Sequence, residues 1–287
     1  MNANNGIVIR VLSSIEEYEQ VGELQRDIWG AMEILPPSLL LTMQKNGGLV
    51  AGAYTHFGQM IGVVLGFVGR TKSGKFKHCS HQMGMLAEYR RQGIGEALKR
   101  FQRDYLLTQD TIDLVTWTFD PLEGVNAFLN IARLGGIVRT YFENHYGDMP
   151  DALNKGLRSD RFELEWWIAS HRVNDWLGAE RERPTHSALG QRGAQTINET
   201  TLDNQGALRP VKTDLSLDAE TLLVEIPAEF QAIKAVSMDL AREWRMHTSA
   251  IFQHYFANGY FVTDFISERE DNRRRNFYIL TKTPLNL

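Results

Sequence analysis

The stretch Met83-Gly84-Met85-Leu86-Ala87-Glu88-Tyr89-Arg90-Arg91-Gln92-Gly93-Ile94-Gly95-Glu96-Ala97-Leu98 constrains this chain more than any other. An apolar run enters it, glycine stands at two alternate positions, and helical spacing begins directly behind them. Glycine lets a backbone turn tightly and approach a bulky group with no Cβ in the way. The first amides of a helix lack internal acceptors and sit at the positive end of its dipole. A strand-to-helix turn of this kind suits a phosphate or diphosphate. It also suits a plain tight turn, because a lone G-x-G is a weak signal. A dinucleotide fingerprint would need a third glycine where Leu98 stands, and no Gly-Lys-Ser/Thr follows as in a nucleotide-binding loop.

The surroundings predict where this turn lies. Ile7–Leu12 is short and β-branched, a strand. Ser13 with Glu16, or Ser14 with Glu17, fits a capping box for a helix through Tyr18, Val21, Leu24 and Ile28. Pro36 and Pro37 open a second helix that stops at Gly47-Gly48. Strands follow at 49–54, 59–70 and 78–86, then a helix over 93–107 with Ile94, Leu98, Phe101 and Tyr105 on one face. Leu114–Phe119 is a strand, Glu123–Leu134 a helix, and 137–142 and 162–168 two further strands. The class is α/β, a mixed sheet flanked by helices.

From Gly178 to Pro210 apolar residues are sparse, which predicts a linker or wrapping arm. Beyond it come a strand at Leu222–Ile226, a helix marked by Phe230, Ile233, Leu240 and Trp244, a second helix at Ile251–Phe256, and strands at 260–266 and 277–280. Gly136–Phe142 lies over Gly259–Phe265, so this β-α-β-β segment is expected to be a degenerate partial copy of the earlier one. The domains expected are 1–170, an arm at 171–218, and 219–287.

Composition narrows the function classes. The chain has 287 residues, enough for one large domain or two ordinary ones. Thirty-one Lys and Arg against thirty-five Asp and Glu give a net charge of −4, which argues against a dedicated nucleic-acid binder. The single cysteine, Cys79, excludes an intramolecular disulfide and a cysteine zinc cage, and no H-x-x-x-H or H-E-x-x-H spacing suggests a metal. The start Met1–Gly6 lacks the shape of a signal peptide, and no apolar run approaches the ~20 residues of a membrane span. A soluble cytoplasmic protein with no membrane or nucleic-acid partner is the expectation.

Arg90-Arg91-Gln92-Gly93-Ile94-Gly95 resembles the Q/R-x-x-G-x-G/A signature of the GNAT acyltransferase superfamily, and the element order over 7–168 is similar to the GNAT fold. Ser80-His81, Trp29-Gly30, Gly47-Gly48 and Trp117-Thr118-Phe119-Asp120-Pro121-Leu122, followed by Asn126 and Asn130, resemble a less-characterised subgroup of predicted acyltransferases. That likeness reaches Ile226-Pro227 and Gly259-Tyr260, so the C-terminal β-α-β-β segment looks like a partial second GNAT unit. The resemblance implies acetyl-CoA or another acyl-CoA as co-substrate. It implies a splay between the strands at 78–86 and 114–119, with the diphosphate on the amides of Arg91, Gln92, Gly93, Ile94, Gly95 and Glu96 beside Arg90. Main-chain groups of Met83 and Met85 would pair with the pantetheine arm.

Acyl transfer from a thioester to an amine needs a neutral amine, a polarised carbonyl and a proton for the leaving thiolate. By period-2 alternation Cys79, His81, Met83 and Met85 share one face. Many GNAT enzymes carry Glu where Cys79 stands, so His81 is the candidate base; a histidine satisfied within the sheet is the alternative. The tyrosine that many GNAT enzymes use as acid would fall at Ile131, which leaves the acid unassigned, with Tyr141, Tyr146 and His145 as weak candidates. Asn126 and Asn130 are candidate pantetheine contacts or solvent-facing residues. The loop Trp29–Ser38 and the region Tyr141–Pro150 are expected to meet the acceptor, with Trp29, Trp117, Tyr141, Phe142 and Tyr146 as walls and Glu33 or Arg139 as charged contacts. Arg273–Arg275 reads as a solvated turn.

The expected activity is acyl-CoA-dependent N-acyl transfer to a small amine or amino acid by direct attack in a ternary complex, with a possible homodimer. The alternative is a silent acyl-CoA-binding or protein-interaction module of the same fold.

Overall fold

The computed structural model describes residues 6–149, 151, 154–178, 181–285 and 287. Met1–Asn5 of the expected N-terminal reading, Pro150 of the expected acceptor wall, and Ala179 and Glu180 of the expected arm lie outside the described residues. The chain forms two compact units that divide between Trp117 and Thr118, a different partition from the boundaries at 170 and 218.

In the first unit β1 (Val8–Val11), β2 (Leu49–Tyr54), β3 (Met60–Arg70) and β4 (Phe76–Met85) pair antiparallel in sequence order. The strand β5 (Leu114–Phe119) then runs parallel to β4. On one side lie α1 (Ile15–Trp29) and α2 (Pro37–Lys45), and on the other α3 (Ile94–Leu107). Of the two capping boxes the sequence allows, the one formed is Ser14 with Glu17, each side chain accepting from the other's amide. Because both faces are covered, β2 and the first seven residues of β3 are buried without alternation. Val50, Val63 and Leu65 pack with Tyr18, Val21 and Leu40, while Ala51, Val64 and Ile61 pack with Ile94 and Leu98. Each such side chain removed from water contributes roughly 1.5–3 kcal/mol.

The second unit begins with α4 (Gly124–Ala127), which widens at once into a π-helical turn over Phe128–Arg133. A regular helix was expected over 123–134. The turn opens because the Leu134 amide reaches back to the Leu129 carbonyl and the Gly136 amide to that of Asn130. Then come β6 (Ile137–Phe142), β7 (Arg161–Trp167), α5 (His171–Leu177), α6 (His186–Gln191), β8 (Gln195–Thr196), β9 (Asn198–Leu202), β10 (Leu208–Thr213) and β11 (Thr221–Ile226). The segment expected as an arm thus holds short helices and strands of its own. α7 (Phe230–Val236), α8 (Met238–Ala257), β12 (Phe261–Glu270) and β13 (Arg273–Thr281) complete the chain. The helix break falls at Ser237, whose hydroxyl caps the Leu240 amide, so Ile251–Phe256 is the end of α8 and not a separate helix.

The strands of this unit lie in the order β7-β6-β12-β13-β11-β8, with β9 and β10 as a separate antiparallel pair. β6 and β12 meet antiparallel at Val138↔Val262, each the second residue of its strand. Each pairs antiparallel with the next strand of the chain, and each has a bulge directly after that valine. Two like hairpins therefore face each other about the Val138–Val262 contact. Arg275, expected in a solvated turn, instead lies in β13 and grips the buried Glu225 with Nε and Nη2, both at 2.8 Å. The turn itself is Asp271-Asn272, both at positive φ.

Among the described residues no helix is long and apolar enough to cross a membrane, and no cluster of His, Cys, Asp and Glu is placed to hold a metal.

A buried ion pair ties α8 to the segment before α4 within the second unit. Arg245, 3% exposed on α8, holds Asp120 through two hydrogen bonds of 2.8 and 2.5 Å. Removing Arg245 leaves the Asp120 carboxylate with only the more distant Arg161, at 3.8 Å. Arg245→Ala is expected to destabilise the protein by about 3–5 kcal/mol in urea unfolding. A change under about 1 kcal/mol would show that water reaches Asp120 and compensates it.

Candidate functional site

The backbone accounting of the bend after β4 is the central observation. The Leu86 amide donates to Ile61, that of Tyr89 to Leu86, and that of Arg90 to Ala87. The next amide with a backbone acceptor is Ala97, bound to Gly93. Among the described residues, the amides of Arg91, Gln92, Gly93, Ile94 and Gly95 have no carbonyl to donate to. Arg91 and Gly93 both have positive φ, 64° and 80°, which folds the chain into a shallow nest of N–H groups at the start of α3. The helix dipole adds positive potential there. Gly93 is exposed, and a Cβ built on it would meet nothing within 4 Å, so no side chain plugs the bend at that point. Arg90, Arg91 and Gln92 are exposed around it; the Glu96 carboxylate is held by Arg100 at 2.8 Å.

The strand that leads into the bend has an open edge. β4 and β5 pair only at His78↔Val115 and Cys79↔Thr116. Beyond that rung, Ser80–Met85 has no ladder partner on the β5 side among the described residues. Strand edge and bend thus follow each other along the chain as one run of unpaired main chain.

The expected face of β4 needs correction. A β-bulge leaves His81 unpaired between Ser80, the partner of Gly66, and Gln82, the partner of Leu65, so His81 is the extra residue. The bulge reverses the alternation beyond it. His78 and Ser80 face α3, where they meet Gln102 and Lys99, so Cys79 points to the opposite face. Met83 and Met85 then also pack on the α3 side with Ile94 and Leu98, and do not share a face with Cys79. Gln82 and Gly84 turn to α1, where Gln82 accepts from Gln25 at 2.5 Å and Gly84 lies against Trp29.

His81 is exposed at the bulge, its ring 6.0 Å from that of Phe67, with neither ring nitrogen hydrogen-bonded among the described residues. Enclosure by its neighbours lowers its basicity, with Glu33 opposing. The loop after α1 is tied to this strand. Gln25, fully buried, accepts from the Leu35 amide at 3.0 Å, and Gln82 donates to the Glu33 carbonyl at 3.1 Å. Neither glutamine stood out in the sequence; the signal was a polar residue on the buried stripe of an amphipathic helix.

The remaining expected residues lie in the second unit. Asn126 is exposed, while Asn130 is 4% exposed inside the π-helical turn. Tyr141 donates to Asp160 at 2.5 Å, and burial followed by that carboxylate pushes its hydroxyl far above the usual tyrosine range. Tyr146 is hydrogen-bonded to Thr118 at 2.8 Å, and His145 stacks on Phe142. Arg139 is paired with Glu165 at 2.6 Å and lies over Phe261, so it is committed within its own unit. Trp166 is fully buried while Trp167 is half-buried, the division expected of neighbouring strand residues.

No family model matches the sequence, and no curated protein matches it. Among solved structures, the ribosomal-protein-S18-alanine N-acetyltransferase from Escherichia coli is similar over 62% of this chain and 99% of its own, at 15% identity and a TM-score of 0.45. An acetyltransferase of the GNAT family from Streptococcus pneumoniae covers 55% of this chain and 97% of its own, at 14% identity and a TM-score of 0.46. Arabidopsis thaliana NAA60 in complex with acetyl-CoA covers 56% and 99%, also at 14% identity and 0.46.

Near the fork, burial pushes the His78 imidazole down to about 3, with Lys99 adding to the effect. A histidine whose folded pKa lies below its unfolded value destabilises the fold as pH falls from about 6.5 towards 3, because the unfolded chain then binds the extra proton. His78 is expected to contribute up to about 1.4 kcal/mol per pH unit to that loss. His78→Asn should flatten the stability profile in this window, and an NMR titration showing His78 protonating near pH 6 would contradict the assignment.

Proposed function

We propose that this protein is an acyl-CoA-dependent N-acyltransferase, transferring an acetyl or other short acyl group to a small amine or amino acid. The observation that carries the reading is the set of amides from Arg91 to Gly95 without internal acceptors, at a helix N-terminus and continuous with the open edge of β4. A diphosphate supplies the acceptors such a nest lacks. An extended amide-bearing arm supplies those the strand edge lacks, as an added strand would. CoA joins these two chemistries in one molecule. The resemblance of Arg90–Gly95 to the GNAT signature supports the same ligand.

In this reading Arg90, Arg91, Gln92, Gly93, Ile94, Gly95 and Glu96 surround the diphosphate, and main-chain groups near Met83 and Met85 take the pantetheine. The acceptor amine loses a proton to His81, directly or through water, and its nitrogen attacks the thioester carbonyl. The carbon–sulfur bond then breaks, and the thiolate takes up a proton. The histidine's lowered basicity favours the neutral imidazole that can accept the proton near neutral pH. A silent carrier-binding module is the second reading. It is favoured by Cys79 where many GNAT enzymes have Glu, by Ile131 where many have Tyr, and by the engagement of Tyr141 with Asp160.

Calorimetric titration with CoA and a thiol-release assay over a panel of amines and amino acids test both. The wild-type protein is expected to bind CoA and release thiol in the presence of an acceptor. Binding without release would favour the silent module. Gly93→Val puts a β-branched residue at φ +80° with no neighbour to clash against, so it acts through the backbone alone. It is expected to weaken CoA binding at least about a hundredfold, since each lost charge-assisted hydrogen bond costs ~1.5–3 kcal/mol. The fold should be retained with the melting temperature lowered by several degrees by the strained backbone, and unchanged CoA affinity would refute the placement of the diphosphate.

A further inference from the structure

Lys99 stands apart from the groups used so far. It is 2% exposed on α3, and no carboxylate is within ion-pair reach of its ammonium among the described residues. Buried charges ordinarily hold a counter-ion. Here Nζ donates to Ser80 Oγ at 2.8 Å and to Gln102 Oε1 at 3.1 Å, and it lies 3.5 Å from the centroid of the Trp117 ring. Gln102 continues the network to His78 Nε2 at 3.2 Å.

The placement of these partners is the telling feature. The last rung between β4 and β5 is Cys79↔Thr116. Ser80 and Trp117 are the next residue on each strand. One amine therefore touches both strands one step past the point where they part. Two rungs are little to fix the angle of a fork, and side-chain contacts across it must do the rest.

We propose that Lys99 is a positioning residue: from the α3 face it joins Ser80 to Trp117 where β4 and β5 stop pairing, and so fixes where the fork opens. Use of that opening by an acyl carrier rests on the function proposed above; the clamp itself does not. Stability alone does not account for an amine here. Burial holds its ammonium well below the usual lysine range, and an apolar side chain of like length would fill the space without that penalty. The amine donates to Ser80 and Gln102 at once while lying over the indole face, which no apolar residue does.

Lys99→Met keeps the length and removes the donors. Its melting temperature is expected to stay level or rise. Hydrogen exchange of the amides over Ser80–Met85 and at Trp117 should speed up by about tenfold. Thiol release should fall by about tenfold or more in kcat, while CoA affinity, set by the main-chain amides of the bend that Lys99 does not contact, stays within about twofold. Ser80→Ala, which removes one acceptor, should shift exchange and kcat in the same direction by less, and it serves as the readout if Lys99→Met does not fold. Unchanged exchange and kcat in the variant that folds would overturn the proposal. Loss of CoA affinity with kcat retained would overturn it too, by making Lys99 a ligand of the carrier. If the wild-type protein binds no CoA, the proposed function fails, and the exchange measurement still decides the clamp.

Discussion

A strand that loses its neighbour halfway along its length must find other partners for its main chain. Peptide N–H and C=O groups are costly to bury unpaired. In this protein β4 keeps β5 for two rungs and then runs on to Met85 with one edge bare. The chain next enters a bend in which consecutive amides have no internal acceptor. Edge and bend together form one continuous line of unmet hydrogen-bonding capacity among the described residues, and the function proposed for the first unit rests on it. A ligand that satisfies the line must be long, polar along its length, and anionic at one end.

The rest of the first unit holds that line in place. Helices on both faces bury β2 and the first seven residues of β3, a packed wall against which β4 is held. Gln25 and Gln82 tie the loop after α1 to the strand, and Gly84 gives Trp29 room to lie flat against it. On the other face Lys99 bridges the two strands just beyond their last rung. The bulge at His81 decides which side chains see which face, and it leaves the imidazole outside, in reach of solvent.

The second unit is built differently. Two hairpins, β6–β7 and β12–β13, meet at equivalent valines and bulge at equivalent places. A shared origin of the two pieces would account for this, although the structural equivalence of Val138 and Val262 lies one residue out of register with the match of Gly136–Phe142 over Gly259–Phe265. The likeness stops at the scaffold, for no G-x-G turn occurs after Thr118. In the polar interior of this unit Arg245 holds Asp120 and Tyr141 donates to Asp160, while Arg245 Nε, His247 Nε2 and Asn276 Oδ1 are buried without a hydrogen-bond partner.

Most of the scaffold was legible from local pattern. The first helix follows from Ser14, Glu17 and the apolar spacing behind them, and the bend from two glycines placed between a strand and a helix. These depend on neighbours a few residues apart, where propensity and periodicity act directly. The helix break at Ser237 and the π-helical turn over 128–133 escaped, because long-range packing chose among local options of similar energy. The face of β4 was misjudged for a comparable reason: alternation holds only while the ladder is regular, and nothing around His81 announces an extra residue. Lys99 and Gln25 looked like ordinary surface residues until burial put them under a sheet. Sequence by itself determined where the backbone can turn and offer free amides, since that is written in glycine and in short-range capping. Only the tertiary structure decided which strand edge stays bare, which face each side chain takes and which lysine is left without a counter-ion, because those depend on pairing between segments far apart in the chain.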